Sequence, residues 1–203
     1  VTLTGTDFVV GATTVNVSGS GVTVNTVVVG SATSLTANFV LDAAAAVGAR
    51  TVTVTTVAGT SGGQTFTINP PAPTLTSIAP NQGARGATVA VTLTGTDFVV
   101  GATTVSVSGS GVTVNTVVVG SGTSLTANFV LDPAAVTGPH VVTVTTAGGT
   151  SVPQGFTITL PPPTLAGVSP NQGIRGETVG VTLTGTNFVA GATTVTVGGV
   201  GVT

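Results

Sequence analysis

Apolar and small polar side chains alternate along most of this chain. In segments such as VTLT and VTVTT every second residue is valine or leucine, and this period of two predicts β-strands with one buried face. Valine and threonine also favour extended backbone. Between residues 74 and 159 the alternation predicts seven strands, each bounded by Gly, Ser, Asn, Asp or Pro: Thr74–Ile78, Thr88–Thr94, Thr103–Ser108, Val112–Val119, Ser124–Leu131, His140–Thr146 and Gly155–Thr159. Seven short strands in 86 residues are typical of an antiparallel β-sandwich, with Asp132–Gly138 as a connector of at most one helical turn.

The sequence repeats with a period of 90 residues. Residues 1–90 match residues 91–180 at 67 of 90 positions without a gap, which indicates tandem domains. Two proline clusters, NPPAPT and LPPPT, favour stiff extended linkers because proline has no backbone N–H. The predicted organisation is a first repeat without its first strand at 1–69, a linker at 70–73, a complete repeat at 74–159, a linker at 160–163 and the start of a third repeat at 164–203.

On this division the chain begins about 17 residues inside a domain. We expect these residues to be a window on a longer array. The alternative hypothesis is a complete subunit whose Thr164–Gly180 supplies, in a neighbouring molecule, the segment missing before Val1, a form of strand exchange. Its difficulty is that Val181–Thr203 duplicates strands which the neighbour already has.

Charge is scarce in this sequence. Only 4% of residues are charged, against about 25% in an average soluble domain, and the net charge is −2. Nucleic acid is not an expected partner, because phosphate binding needs clustered Lys and Arg and the chain has three arginines and no lysine. Apolar runs are interrupted every few residues and none approaches the roughly 18 residues of a membrane span, so no membrane insertion is expected. The sequence has no cysteine, so stability depends on apolar burial and sheet hydrogen bonds.

Several motifs occur in the order found in one domain family. The run PTLTSIAPNQGARGATVAVTLTGTDF is followed by TTVSV, TSLTANFVL, GPHVVTVTTAGGTS and GFTI. This order resembles the IPT/TIG domain, whose pattern is met by Pro73, Leu75, Ile78, Pro80, Gly83, Gly86, Gly95, Asp97 and Phe98. The resemblance covers the whole chain and implies an all-β fold of tandem immunoglobulin-like antiparallel β-sandwiches. It implies no catalytic residues and no cofactor, and tandem near-identical copies look most like bacterial or archaeal surface proteins.

The phenylalanines and the single histidine are the first candidates for a site. Phe98, Phe129 and Phe156 recur in the repeats, and large apolar residues within alternating strands predict core positions rather than a ligand pocket. His140 has Arg50 at the equivalent place in the first repeat. No Ser or acid partner recurs at this position in both copies. We therefore expect no catalytic role for His140 and no enzyme activity.

The acids, the turn arginines and one sequon complete the candidates. Asp97 and Asp132 could hold Ca²⁺, which needs six to eight oxygens, but Asn187 stands in place of Asp97 in the third copy, so Asx turns are the better interpretation. No metal site is expected. Arg85 and Arg175 lie beside glycines that permit positive φ, where pairing with a nearby carboxylate or carbonyl is expected. Asn16 begins an NVS glycosylation sequon that is absent from the next copy.

The threonine-rich surface predicts the class of function. Outer strand faces would carry neutral β-branched hydroxyls, and the lysines that usually guard sheet edges are missing. We expect an extracellular, cell-surface structural protein, either a filament whose repeats or subunits associate with each other or the stalk of an adhesin. The alternative is a binding module that recognises a protein or glycan through loops at one end of the sandwich. It predicts that differences between copies gather at one end, and DAAAAVGAR against DPAAVTGPH is among the most divergent stretches. Ice binding by the threonine array is disfavoured, since it needs a flat regular lattice.

Overall fold

The computed structural model describes residues 1–198, and its regular elements are all β-strands. The chain divides into two compact units, Val1–Pro71 and Ala72–Thr203. The first unit contains the strands β1 (Thr2–Thr4), β2 (Thr14–Val17), β3 (Val22–Ser31), β4 (Ser34–Leu41), β5 (Gly48–Thr56), β6 (Gly59–Thr60) and β7 (Gln64–Ile68). The further division of the second unit at residues 160–163 stays a prediction.

Most strands of the second unit belong to residues 74–159, referred to below as the complete repeat. They are β8 (Thr74–Ala79), β9 (Gln82–Ala84), β10 (Thr88–Thr96), β11 (Thr104–Val107), β12 (Val112–Ser121), β13 (Ser124–Leu131), β14 (Gly138–Thr146), β15 (Gly149–Thr150) and β16 (Gln154–Thr159). Two more strands, β17 (Thr164–Ser169) and β18 (Thr182–Thr186), belong to residues 164–198, the third segment. All seven strands predicted for the complete repeat are confirmed, and the connector after Leu131 is a turn without a helix.

The complete repeat is an immunoglobulin-like sandwich. One sheet has the strand order β12-β13-β10-β8 and the other β11-β14-β16-β9, with β15 paired to β14. In chain order these are the ABED and CFG sheets of the constant-type immunoglobulin fold. All pairs are antiparallel except β9 with β16, which run parallel. The predicted all-β class and sandwich architecture are therefore confirmed.

Two phenylalanines join the sheets of the complete repeat. Phe129 on β13 and Phe156 on β16 are fully buried, and their rings meet edge to face with centroids 5.2 Å apart. Phe98 is also buried, so the predicted core role of all three rings is confirmed. Around them lie the alternate apolar side chains of both sheets: Leu75, Ile78, Val91, Leu93, Val105, Leu125, Leu131, Val142, Val144 and Ile158.

The first unit has counterparts of the strands of the complete repeat except the first two, β8 and β9. Its sheets are β1-β4-β3 and β2-β5-β6, with β7 paired to β5, and none of its strands corresponds to β8 or β9. Phe39 and Phe66 repeat the edge-to-face pair at 5.2 Å. Leu41, however, is 44% exposed, whereas its counterpart Leu131 is 1% exposed. The first segment of the complete repeat therefore covers one side of the core.

The third segment contains counterparts of β8 and β10. Its strands β17 and β18 pair as β8 and β10 do, but Leu165 is 59% exposed where Leu75 is 1% exposed. Beside these strands lies a groove of about 340 Å³ lined by Leu165, Leu183 and Phe188 among others. These are core positions in the complete repeat, so the groove is a core surface without its opposite sheet.

Truncating the ring that joins the sheets is expected to unfold much of the complete repeat. Phe129→Ala should lower the free energy of unfolding by about 3–5 kcal/mol, because it removes buried apolar area and leaves a cavity. Phe39→Ala, at the half-buried counterpart, should cost clearly less. Differential scanning calorimetry of both variants measures the difference, and equal losses would contradict this account of the core.

Candidate functional site

The first and last strands of the complete repeat lie side by side. β9 runs parallel to β16, with Gln82 opposite Thr157 and Gly83 opposite Ile158. The pairing continues past β9, because the N–H of Arg85 donates to the carbonyl of Thr159 at 3.0 Å. A pull on the two ends of the domain would therefore act on neighbouring strands in opposite directions.

Gly83 allows this pairing because a side chain would not fit there. A Cβ at this position would lie 2.5 Å from a methyl of Val89 and 2.8 Å from Leu131. Sequence reasoning missed β9, since the NQGA run is only a few residues long and lacks alternation. The two glycines of NQGARG were the sequence feature that could have indicated this strand. Gly86 has a φ of 82°, which glycine permits, and its N–H donates to the carbonyl of Leu131 at 2.8 Å.

The Gly-Thr-Asp-Phe motif after β10 forms a corner of the sandwich. Gly95 lies against the backbone carbonyl of Thr74 and beneath the ring of Phe98, which leaves no room for a Cβ. Asp97 has a φ of 59°, a left-handed conformation that Asp and Asn tolerate better than other residues with a side chain. Asn187 has the same φ in the third segment, which explains why Asn can replace Asp.

The two candidate calcium ligands lie at opposite ends of the complete repeat. Asp97 follows β10 and Asp132 follows β13, and these strands are antiparallel. The Oδ1 of Asp132 accepts a hydrogen bond from the N–H of Ala134 at 2.7 Å, which confirms the predicted Asx turn there. Asp97 differs, since its Oδ2 accepts from the hydroxyl of Thr96 instead. Within residues 1–198 no three His, Cys, Asp or Glu side chains come together as metal ligands.

His140 ties the connector to the neighbouring strand. The ring is 7% exposed, with Nδ1 at 2.7 Å from the carbonyl oxygen of Ser108 and Nε2 at 2.9 Å from that of Val136. In the first unit Arg50 makes the matching contact, because its Nη2 donates to the carbonyl of Ala46 at 2.6 Å. The two different residues are thus equivalent in position, since each places a side-chain nitrogen beside a carbonyl of the connector, that of Val136 or of Ala46.

Of the remaining polar candidates, Asn16 is exposed and Arg85 is partly buried. Asn16 is exposed on β2, so its amide is accessible, and the Oγ of Ser18 accepts from the N–H of Thr51. The contacts found for Arg85 are those of its backbone, so the expected pairing of its guanidinium stays a prediction.

The edge strands β3 and β12 carry bulges in place of charges. Both have the sequence VTVNTVVVGS, and each breaks register after Asn25 or Asn115. Thr26 and Thr116 have φ values of 53° and 52°, a strained conformation for a β-branched residue. Bulges bend an edge and hinder pairing with another strand, so they replace the missing lysines.

In the described part of the chain no helix is long and apolar enough to span a membrane.

Comparison with known proteins gives likenesses of structure alone. No family model matches the chain, and no curated protein matches it. InvD of Yersinia pseudotuberculosis has a TM-score of 0.34 and 19% identity, over 81% of this chain and 56% of that one. The titin I-band fragment I67-I69 has a TM-score of 0.38 and 16% identity, over 74% and 55%. Invasin, a bacterial integrin-binding protein, has a TM-score of 0.36 and 16% identity, over 81% and 36%. The chain thus spans less than two thirds of each of these structures.

Removing the His140 ring should loosen the connector. We expect His140→Ala to lower the free energy of unfolding by about 1–3 kcal/mol, because the buried ring and its hydrogen bond to a backbone carbonyl, that of Ser108 or of Val136 according to the tautomer, are lost. His140→Arg should recover part of the loss, since arginine fills this position in the first unit. Urea denaturation compares the three proteins, and an arginine variant no better than the alanine variant would contradict the proposed equivalence.

Asp97 is expected to be needed for its backbone conformation rather than its charge. Asp97→Asn should leave the melting temperature unchanged, and Asp97→Ala should cost about 1 kcal/mol because alanine resists positive φ. Adding a chelator should have no effect on any of these proteins. A fall of several degrees with chelator in the parent protein, lost in Asp97→Asn, would instead identify a calcium ligand.

Proposed function

We propose that this chain is part of an extracellular structural repeat protein of the IPT/TIG type, serving in a surface filament or in the stalk of a cell-surface adhesin. The observation that carries the proposal is repetition of the same sheet in both units. Residues 1–42 match residues 91–132 at 40 of 42 positions, and this region includes most of β10 and all of β12 and β13 with their outward-facing side chains. Identical outer faces suit a spacer in which each repeat does the same task.

The geometry of the terminal strands supports a mechanical role. Tension enters the complete repeat through β8 and β9 and leaves through β16. Because β9 and β16 are parallel neighbours, tension shears their hydrogen bonds along the strands. These bonds then break together rather than one at a time, which favours resistance to extension. The Oγ1 of Thr159 adds a bond to the carbonyl of Gly83 at 3.3 Å.

The corner motif supports the IPT/TIG assignment. Gly95 packs against the carbonyl of Thr74, Asp97 takes positive φ, and Phe98 enters the core. Each residue of the family pattern at this corner thus has a steric reason. The whole chain carries two further corners of this kind, at residues 5–8 and 185–188.

The alternative role as a loop-based binding module has weaker support. Eleven of the fourteen differences between residues 1–69 and 91–159 fall in two places, the connector with the start of β14 at 133–141 and the hairpin at 147–155. These places lie at opposite ends of the nine-residue strand β14, about 25 Å apart. A single recognition surface at one end of the sandwich would concentrate them instead.

Single-molecule force spectroscopy on the 203-residue chain tests the mechanical role. The complete repeat should unfold in one event that releases up to about 300 Å of chain. Arg85→Pro should lower its unfolding force, because it removes the N–H that bonds to Thr159, whereas Arg85→Ala keeps that N–H and should leave the force nearly unchanged. Extension of the parent repeat without a force peak would overturn the proposal.

A further inference from the structure

One edge of the complete repeat differs from the others in its protection. The main edge strands are β8 and β12 in one sheet and β9 and β11 in the other. Register shifts mark bulges in β8 and β12, and β9 has only three residues and is followed by the charged Arg85. β11, which lies wholly within the described residues, pairs in unbroken register and has no proline or charged side chain. Bulges, shortness and charge are the usual devices against strand pairing, so β11 is the least protected of the four edges.

The backbone of β11 turns two of its residues toward the open side. Val105 lies opposite Val144 on β14. Val144 bonds on its other side, because its N–H donates to the Oγ of Ser151 at 3.1 Å and its carbonyl accepts from the N–H of Ser151 at 2.8 Å. Since alternate residues of a strand turn their N–H and C=O groups to opposite sides, those of Val105 and Val107 point away from β14. These two residues define what is called the β11 edge below.

The first unit presents the same edge on β2. Val15 lies opposite Val54 on β5, and the N–H of Val54 donates to the Oγ of Ser61 at 3.0 Å. The open backbone groups on β2 therefore belong to Val15 and Val17. The sequence of β2 differs from that of β11 only at Asn16. An unprotected edge at this place is thus common to both units.

We propose that the β11 edge pairs with the β11 edge of a second copy of the chain, with the two strands antiparallel about a two-fold axis. Hydrogen bonds form between outward-facing residues, so Val105 of one copy pairs with Val107 of the other and the two Ser106 residues lie opposite each other. The pair gains up to about four backbone hydrogen bonds. The inference rests on the proposed structural role and deepens it, because it names a second copy as the lateral partner and backbone pairing as the contact.

The side chains beside the β11 edge fit a second copy. Thr104 and Ser106 are exposed and uncharged, so two copies meet without like-charge repulsion, and the edge offers no charge that would select a partner of opposite sign. Hydroxyl groups already pair across strands of this sheet, since the Oγ1 atoms of Thr145 and Thr150 are 2.9 Å apart. Cross-strand pairs of this kind stabilise antiparallel strands. Each chain has two such edges, on β2 and β11, which lets association continue beyond a pair of chains.

Disulfide trapping on the 203-residue chain, which has no cysteine, tests the proposal. In the proposed pair the two Ser106 residues form a non-hydrogen-bonded antiparallel pair, whose Cα atoms are about 4.5 Å apart. A disulfide spans that distance. Ser106→Cys should therefore form a covalent dimer under mild oxidation, and the yield should rise with protein concentration.

Thr104→Cys is the matched control for this experiment. Thr104 is exposed on the same strand, but in the proposed register the two copies of this residue are about 14 Å apart, too far for a disulfide. The control should give far less dimer than Ser106→Cys. Equal yields from the two variants, or no dimer from Ser106→Cys, would overturn the proposal.

Light scattering of cysteine-free chains supplies a second measurement. The mean mass of the parent chain should rise with concentration, and the double variant Asn16→Lys with Ser106→Lys should abolish the rise, because lysines on an edge strand oppose pairing. Thr36→Lys with Thr126→Lys is the matched control, since both threonines are exposed on the inner strands β4 and β13 of the other sheets. A parent chain that stays monomeric, or a rise that survives the edge lysines, would contradict the inference. Either outcome leaves the force experiment on the complete repeat unaffected.

Discussion

Packing between two sheets is the constraint on which this structure depends. Each strand buries only one face, so a sheet of this chain is stable only when the other sheet covers it. The edge-to-face contact of Phe129 and Phe156 spans that boundary, and β8 and β9 close its side. The same sequence without those two strands leaves Leu41 half exposed. The unit of folding is therefore the whole sandwich.

Much of the fold could be predicted from the sequence, because the alternation of apolar and polar residues indicates directly which side chains are buried. The strand Ser124–Leu131 was predicted with its observed limits, and Phe129 was assigned to the core. The glycines beside Arg85 were recognised as able to adopt positive φ, and Gly86 does so. These features depend on local chemistry, which is why one sequence sufficed.

Other features depend on neighbours that no local pattern reveals. β9 exists because Gly83 approaches Leu131 and Phe156, residues far along the chain. The role of His140 depends on carbonyls that the fold brings to both ring nitrogens. The bulge at Thr116 takes the place of the charges that usually protect a sheet edge, and threonine gave no hint of positive φ. The predicted alternation of the longer strands was right, but the backbone path at these positions depends on contacts with distant parts of the chain.

The near identity of the repeats has a consequence for how the chain reaches its native state. β1, β10 and β18 share the sequence TLTGT or part of it, so during folding a strand from one repeat can pair with the partner of another. Such misassembled forms would satisfy the same hydrogen bonds and escape only by unfolding. Vectorial synthesis reduces this competition, since an early repeat can close before its double emerges from the ribosome. Refolding from denaturant presents all the copies at once, so kinetic partitioning should make it slower and less complete than folding during synthesis.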